Sequence, residues 1–142
     1  MKLQIQKIAD VPTPQYKHEG DAGFDLHAAE SCVLEPGQRK IVPSGLRMAI
    51  PHGYEAQVRP RSGLAAKHGI SVVNTPGTID SGYRGEVGVI LINHGDKAFT
   101  VEKHERIAQM VINKVELVDI EEVKDLDDTS RGDGGFGSTG TK

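Results

Sequence analysis

Tryptophan is absent from this 142-residue chain, only three phenylalanines and three tyrosines are present, and Cys32 is the sole cysteine. Each scarcity excludes something. One cysteine can form neither an intramolecular disulfide nor a thiolate metal cluster, so Cys32 reads as a small core residue. The six histidines, at 18, 27, 52, 68, 94 and 104, show no H-E-x-x-H or comparable ligand spacing, which argues against a protein-ligated zinc. No run approaches the ~20 apolar residues of a membrane-spanning helix. The opening MKLQIQKIAD alternates apolar and polar residues, with no apolar core or small-residue cleavage site of a secretory signal. The expectation is a soluble, cytoplasmic single domain. So thin a supply of bulky side chains also predicts that oligomer contacts bury additional surface.

Charge of one sign is scarce as well, with a formal net charge of −3. Residues 119–128 (DIEEVKDLDD) carry six acids against one lysine, which leaves the remainder of the chain at +2. That is too little for a duplex-binding face, whereas a cluster such as Arg59, Arg61 and Lys67 suffices for one anionic ligand. A nucleotide fits this balance; a nucleic acid does not.

What the chain does have is punctuation. Turn signals recur about every 8–12 residues, at Gly20-Asp21, Glu35-Pro36-Gly37, Pro43-Ser44-Gly45, Pro51-His52-Gly53, Thr75-Pro76-Gly77, Ser81-Gly82 and His94-Gly95-Asp96. Between them lie short apolar or alternating runs around Leu3-Ile5, Phe24-Leu26, Leu46-Ile50, Tyr54-Val58, Val87-Leu91 and Val111-Val115. The pattern predicts an all-β sandwich or jelly roll. One helix is expected over SGLAAKHG (62–69), with Ser62 as N-cap and Gly69 as C-cap. The β domain is assigned to residues 1–118, an acidic polar linker to 119–130 and a glycine-rich terminal segment to 131–142.

That terminal segment, RGDGGFGSTG (131–140), holds five glycines and cannot build a core. Its arginine and hydroxyls suit phosphate oxygens, its backbone amides can approach an anion, and Phe136 can cover a flat group such as a base. It reads as a lid closing over a nucleotide, or alternatively as a solubilising tail, which would have little use for an aromatic ring. Gly135, Gly137 and Gly140 spell G-x-G-x-x-G but follow no strand and open no helix, so that match carries nothing. Arg131-Gly132-Asp133 spells an adhesion tripeptide, which common letters produce by chance.

Four further constellations carry candidate chemistry. RPRSGLAAK (59–67) puts two arginines before a helix N-terminus, an anion seat, or else a capped helix with solvated charges. In NTPGTIDSGYRGEVGVILIN (74–93), Asp80 closes a short extended element; it can take a proton from water aimed at an electrophile, or simply form a turn. In GDAGFDLHAA (20–29), Asp25 points away from Phe24 and Leu26 on a strand, toward a metal-bound phosphate or toward solvent. In ERIAQMVI (105–112), Gln109 interrupts an apolar strand, where a buried amide requires partners unless it faces outward.

Taken in order, DAGFDLHAA, PRSGLA, NTPGTIDSGYRGEVGV, ERIAQMV and RGDGGFGSTG resemble the five motifs of the trimeric deoxyuridine triphosphate nucleotidohydrolases, the dUTPases, over nearly the whole chain. The resemblance implies a jelly-roll β-clip fold with a flexible C-terminal arm, and a homotrimer whose active sites are each shared among three subunits. It implies hydrolysis of dUTP to dUMP and pyrophosphate, limiting uracil in DNA and supplying dUMP for thymidylate synthesis. By the same resemblance Asn74 and the backbone near Gly88 bind uracil, and Tyr83 packs against the deoxyribose. Arg61, Ser62, Gly63, Thr78 and Gln109 contact substrate, and Asp80 activates the water. Arg131, Ser138 and Thr139 hold the γ-phosphate, Gly137 contacts substrate and Phe136 stacks over uracil. Mg²⁺ is the implied cofactor, with no direct protein ligand and Asp25 reaching it through water. Two other readings remain at this point. A dCTP deaminase of the same fold would place a catalytic glutamate in the strand where this chain has Ile90, and a non-catalytic sensor would bind nucleotide without turnover.

Overall fold

The computed structural model describes residues 1–142. Ten strands form two four-stranded antiparallel sheets and a two-stranded ribbon. The first sheet runs β1 (Gln4–Lys7), β4 (Arg39–Ala49), β8 (Glu86–Asn93) and β6 (Ile70–Val72). The second runs β2 (Phe24–His27), β10 (Arg106–Lys114), β5 (Tyr54–Arg59) and β7 (Gly77–Ile79). The ribbon pairs β3 (Cys32–Leu34) with β9 (Phe99–Val101). The all-β sandwich expected from the turn spacing is therefore the architecture found.

Strand alternation builds the core. In β8 the residues Val87, Val89, Leu91 and Asn93 are buried while their neighbours are half-exposed, the period-two signature of a strand with one face inward. Inward residues from both sheets join one cluster of 21 buried side chains, in which Phe24 is the only aromatic. Small branched residues thus do the filling, and Cys32 is half-buried against the cluster's edge rather than inside it.

The short helix α1 spans Ser62–His68 and ends at Gly69 in the left-handed conformation, φ 67°. Gly69 is also pressed against the His94-Gly95 turn, where an added Cβ would lie 2.7 Å from the Gly95 nitrogen, so no other residue fits. The N-terminal expectation needs correction. Arg61, not Ser62, occupies the N-cap, and no side chain caps the helix. Ser62 is already helical, so its hydroxyl is left to other partners.

Beyond Lys114 there is no further helix or strand, and between the acids Leu117, Val118, Ile120, Val123 and Leu126 are all exposed. The six acids around these apolar residues mask them in the sequence.

One buried polar residue stitches the loops. Asn93 is fully buried; its Nδ2 donates to Leu34 O at 2.9 Å and Lys97 O at 2.8 Å, and its Oδ1 accepts from the Gly95 amide at 2.8 Å. Truncation strands all three backbone groups. Asn93→Ala is expected to lower the unfolding free energy by about 2–4 kcal/mol, measured by urea denaturation at fixed protein concentration; a loss within error of zero would refute this account.

Candidate active site

Asp25 and Gln109 are direct cross-strand partners between β2 and β10, and Gln109 in turn faces Arg59 on β5. A β-bulge creates that row. Arg106 pairs with His27 and Ala108 with Leu26, so Ile107 is an extra residue that shifts the strand's phase by one. Arg106 and Gln109, three apart in sequence, consequently share the outward face with Asp25, while Ile107 and Ala108 are both buried.

Asp25 then gathers the arginines. Arg61 Nε lies 3.1 Å from Asp25 Oδ1 and Arg106 Nη1 lies 3.2 Å from Oδ2, with the aspartate side chain only 17% exposed. Arg61 Nη1 also donates to Arg106 O at 3.1 Å, and Gln109 Nε2 donates to Pro60 O at 3.0 Å. One carboxylate against two guanidiniums leaves a net positive patch with its cations held in place. Beside it, the first internal bond of α1 is from the Ala65 amide to Arg61 O, so the amides of Ser62, Gly63 and Leu64 have no helical acceptor and can serve an anion.

The second half of the site is the segment from β6 to β8. The Val73 amide donates to Ile90 O at 2.9 Å, continuing the β6–β8 ladder and placing Asn74 beside Val89 and Gly88. Asp80 follows β7 and is exposed; it belongs to neither ion pair. Its carbonyl accepts the Tyr83 amide at 3.1 Å, and Arg84 Nη1 donates to Ser81 O and Tyr83 O, closing the turn. Tyr83, expected as a sugar contact, is 45% exposed in that turn. Asp80 and Thr78 line an open cavity of ≈ 320 Å³ with Tyr54, Glu55 and Leu117.

These two halves do not meet within one chain. Ile79 pairs with Ala56, so Asp80 stands beside Glu55 at one end of β5, whereas Arg59 at the other end faces Gln109. Four residues at ~3.3 Å each put roughly 13 Å of strand between them, before the further two residues to Arg61. A third piece is equally separate. Every hydrogen bond made by residues 129–142 is internal to that segment, including Arg131 Nε to Gly134 O at 2.9 Å, and Phe136 is fully exposed. Arg131, Phe136, Gly137, Ser138 and Thr139 together line one open cavity of the tail.

Two titratable groups are displaced. Burial lowers the His27 pKa, opposed by Asp25 and reinforced by Lys17, Arg106 and His104, so the ring beside the arginines favours its neutral form. Burial raises that of Cys32, which makes its thiol a poor nucleophile. The sequence pattern carries little sign of Arg106: a charged residue opening an apolar strand is the only available signal.

No group of three or more His, Cys, Asp or Glu side chains converges on a common point. Both Asp25 oxygens are engaged by arginines.

The chain is 57% identical to the deoxyuridine 5'-triphosphate nucleotidohydrolase of Nautilia profundicola over 141 residues, covering 99% of each. It is 58% identical to that of Alkaliphilus metalliredigens over 141 residues, covering 99% of this chain and 98% of the relative. The dUTPase of Staphylococcus bacteriophage 80alpha, solved with dUPNHPP, matches with a TM-score of 0.91 at 28% identity over 99% of both chains. The fold of a mutant dUTPase from phage phi11 of S. aureus, a protein that coordinates a structural Mg(II) ion, matches with a TM-score of 0.82 at 23% identity over 88% of this chain and 98% of that one. With the dUTPase family model matching residues 9–140, the chain belongs to the dUTPase family.

Proposed function

We propose that this protein is a cytoplasmic dUTP diphosphatase, which hydrolyses dUTP to dUMP and pyrophosphate by in-line attack of water on the α-phosphorus. It works as a homotrimer. The observation that carries the reading is the roughly 13 Å of β5 between Asp80's neighbour Glu55 and the Gln109 partner Arg59. A proton acceptor and a phosphate seat so separated act on one substrate only if different copies supply them.

In this reading Arg61, Gln109 and the Ser62 and Gly63 amides hold the triphosphate, and Asp80 accepts the proton of the attacking water. Thr78 flanks it. The uracil edge is read by Asn74 and the backbone at Gly88, in a slot that has no room for a 5-methyl group. Cytosine is rejected because its reversed donor and acceptor pattern leaves buried groups unpaired. Tyr83 covers the deoxyribose and blocks a 2′-hydroxyl. From a third copy, Arg131, Gly137, Ser138 and Thr139 grip the γ-phosphate and Phe136 lies over the base, excluding water. The exposed apolar residues from Leu117 to Leu126 support such an arm, since they find no cover on their own chain.

A Mg²⁺ ion fits this donor set when the triphosphate and water supply most of its oxygens, with Asp25 touching it through water. It would neutralise charge on the phosphates.

Asp80→Asn is expected to retain dUTP binding by calorimetry while turnover, followed as pyrophosphate release, falls roughly 10²–10⁴-fold; near-normal turnover would reassign the base. Truncation after Asp128 is expected to leave a trimer by sedimentation with severely reduced activity, and a dissociated product would make the arm structural instead. Mixing inactive Asp80→Asn and Arg61→Gln chains through a denaturation and refolding step is expected to restore about one site in four, from random pairing around a closed ring. No recovery would mean that each chain carries a complete site.

A further inference from the structure

Strand β4 leaves its partner β8 between Pro43 and Arg47. Pro43 pairs with Gly88 and Arg47 with Glu86, so Ser44, Gly45 and Leu46 all stand opposite Val87 alone. Such a bulge strands backbone amides in a buried place. Ser44 Oγ accepts the Leu46 amide at 3.2 Å, and the Gly45 amide is taken by the Glu86 carboxylate, Oε1, at 2.9 Å. Gly45 itself, at φ 71°, is wedged under the N-terminal segment. A Cβ there would lie 3.0 Å from both Ala9 Cβ and Val11 Cγ1. The bulge thus sits close under Ala9 and Val11, and the Glu86 carboxylate is bonded to it.

Glu86 is bound at its other end to the proposed sugar filter. Its backbone carbonyl accepts the Tyr83 hydroxyl at 2.9 Å. Gly85 makes the space for this contact, since a Cβ on it would collide with the Tyr83 ring. An aromatic 45% exposed on a turn would otherwise turn about χ1 among several rotamers. Here the ring is laid across Gly85 and tied down.

The geometry points to Glu86 as a positioning residue that sets the discrimination between deoxyribose and ribose. Its carboxylate anchors on the β4 bulge and its carbonyl holds Tyr83 over the sugar. The inference rests on the reading of Tyr83 as the group that blocks a 2′-hydroxyl. Glu86 touches neither substrate nor water in this role; it acts through Tyr83. A ring free to swing aside admits the extra hydroxyl, so loss of the anchor raises activity on UTP relative to dUTP.

The ratio of kcat/KM for dUTP to that for UTP reads this directly. Glu86→Ala is expected to lower the ratio roughly 3- to 10-fold, the weight of one hydrogen bond. Glu86→Gln keeps an acceptor oxygen for the Gly45 amide and is expected to restore the ratio. Tyr83→Phe cuts the same tether from the far side, so it lowers the ratio too, and combining it with Glu86→Ala adds little. If Glu86→Ala does not fold, Tyr83→Phe carries the test alone, and an unchanged ratio there refutes the proposal. A folded Glu86→Ala trimer that loses dUTP and UTP activity in parallel also overturns it. Tyr83→Ala separates the two levels. A lowered ratio there with an unchanged one in Glu86→Ala sinks only this inference, whereas no change in either sinks the sugar-filter reading as well.

Discussion

The length of β5 governs everything else about this molecule. β5 is held on both sides, by β10 and by β7, and has Gln109 beside one end and Asp80 beside the other. No rotamer change closes a gap of roughly 13 Å. In the proposed reading, chemistry that needs both ends comes from assembly, and stability, oligomer formation and activity become one problem rather than three. The sparse core is consistent with this. Valine, leucine and alanine fill a sandwich adequately, and the apolar residues of 117–126 are left exposed on the single chain.

The order of the arginine cluster comes from an acid. Without Asp25 the guanidiniums of Arg61 and Arg106 would repel each other and spread into solvent. Each oxygen holds one arginine, and the Arg61 donation to the Arg106 carbonyl ties α1 to β10. The neutral preference of His27 comes first from its burial, which Asp25 opposes and the charges of Lys17, Arg106 and His104 reinforce. A polyanion entering this patch meets donors that need no rearrangement, which is where electrostatic catalysis gains most.

Much of this was legible in the sequence because it is local. Turn residues and alternation identified the sandwich, Gly69 marked the end of α1, and the outward direction of Asp25 followed from Phe24 and Leu26 on either side. What was not legible is pairing. Ile107 looks like any other apolar strand residue, and nothing local says that it is the extra one that turns Arg106 and Gln109 to the same face. The Ser62 assignment failed for a related reason. Serine is a good N-cap by propensity, but the chain enters the helix one residue earlier, where Arg61 has its side chain committed to Asp25.

The two bulges show why such devices recur beside sites built on sheets. A regular strand can present only every second residue, and a binding surface seldom wants that spacing. In β10 the inserted residue is apolar and buried, so the sheet absorbs it by packing and gains a re-aimed face. In β4 the inserted stretch is backbone-rich and includes Gly45, so its cost is an orphaned amide that only a side chain from the facing strand can satisfy. Glu86 is the residue in register to do so. Because its own carbonyl faces the turn that carries Tyr83, satisfying the bulge and fixing the ring become a single structural act. Under the proposed role of Tyr83, a glutamate needed for polar satisfaction in the sheet is thereby recruited to selectivity, with no contact to the ligand at all.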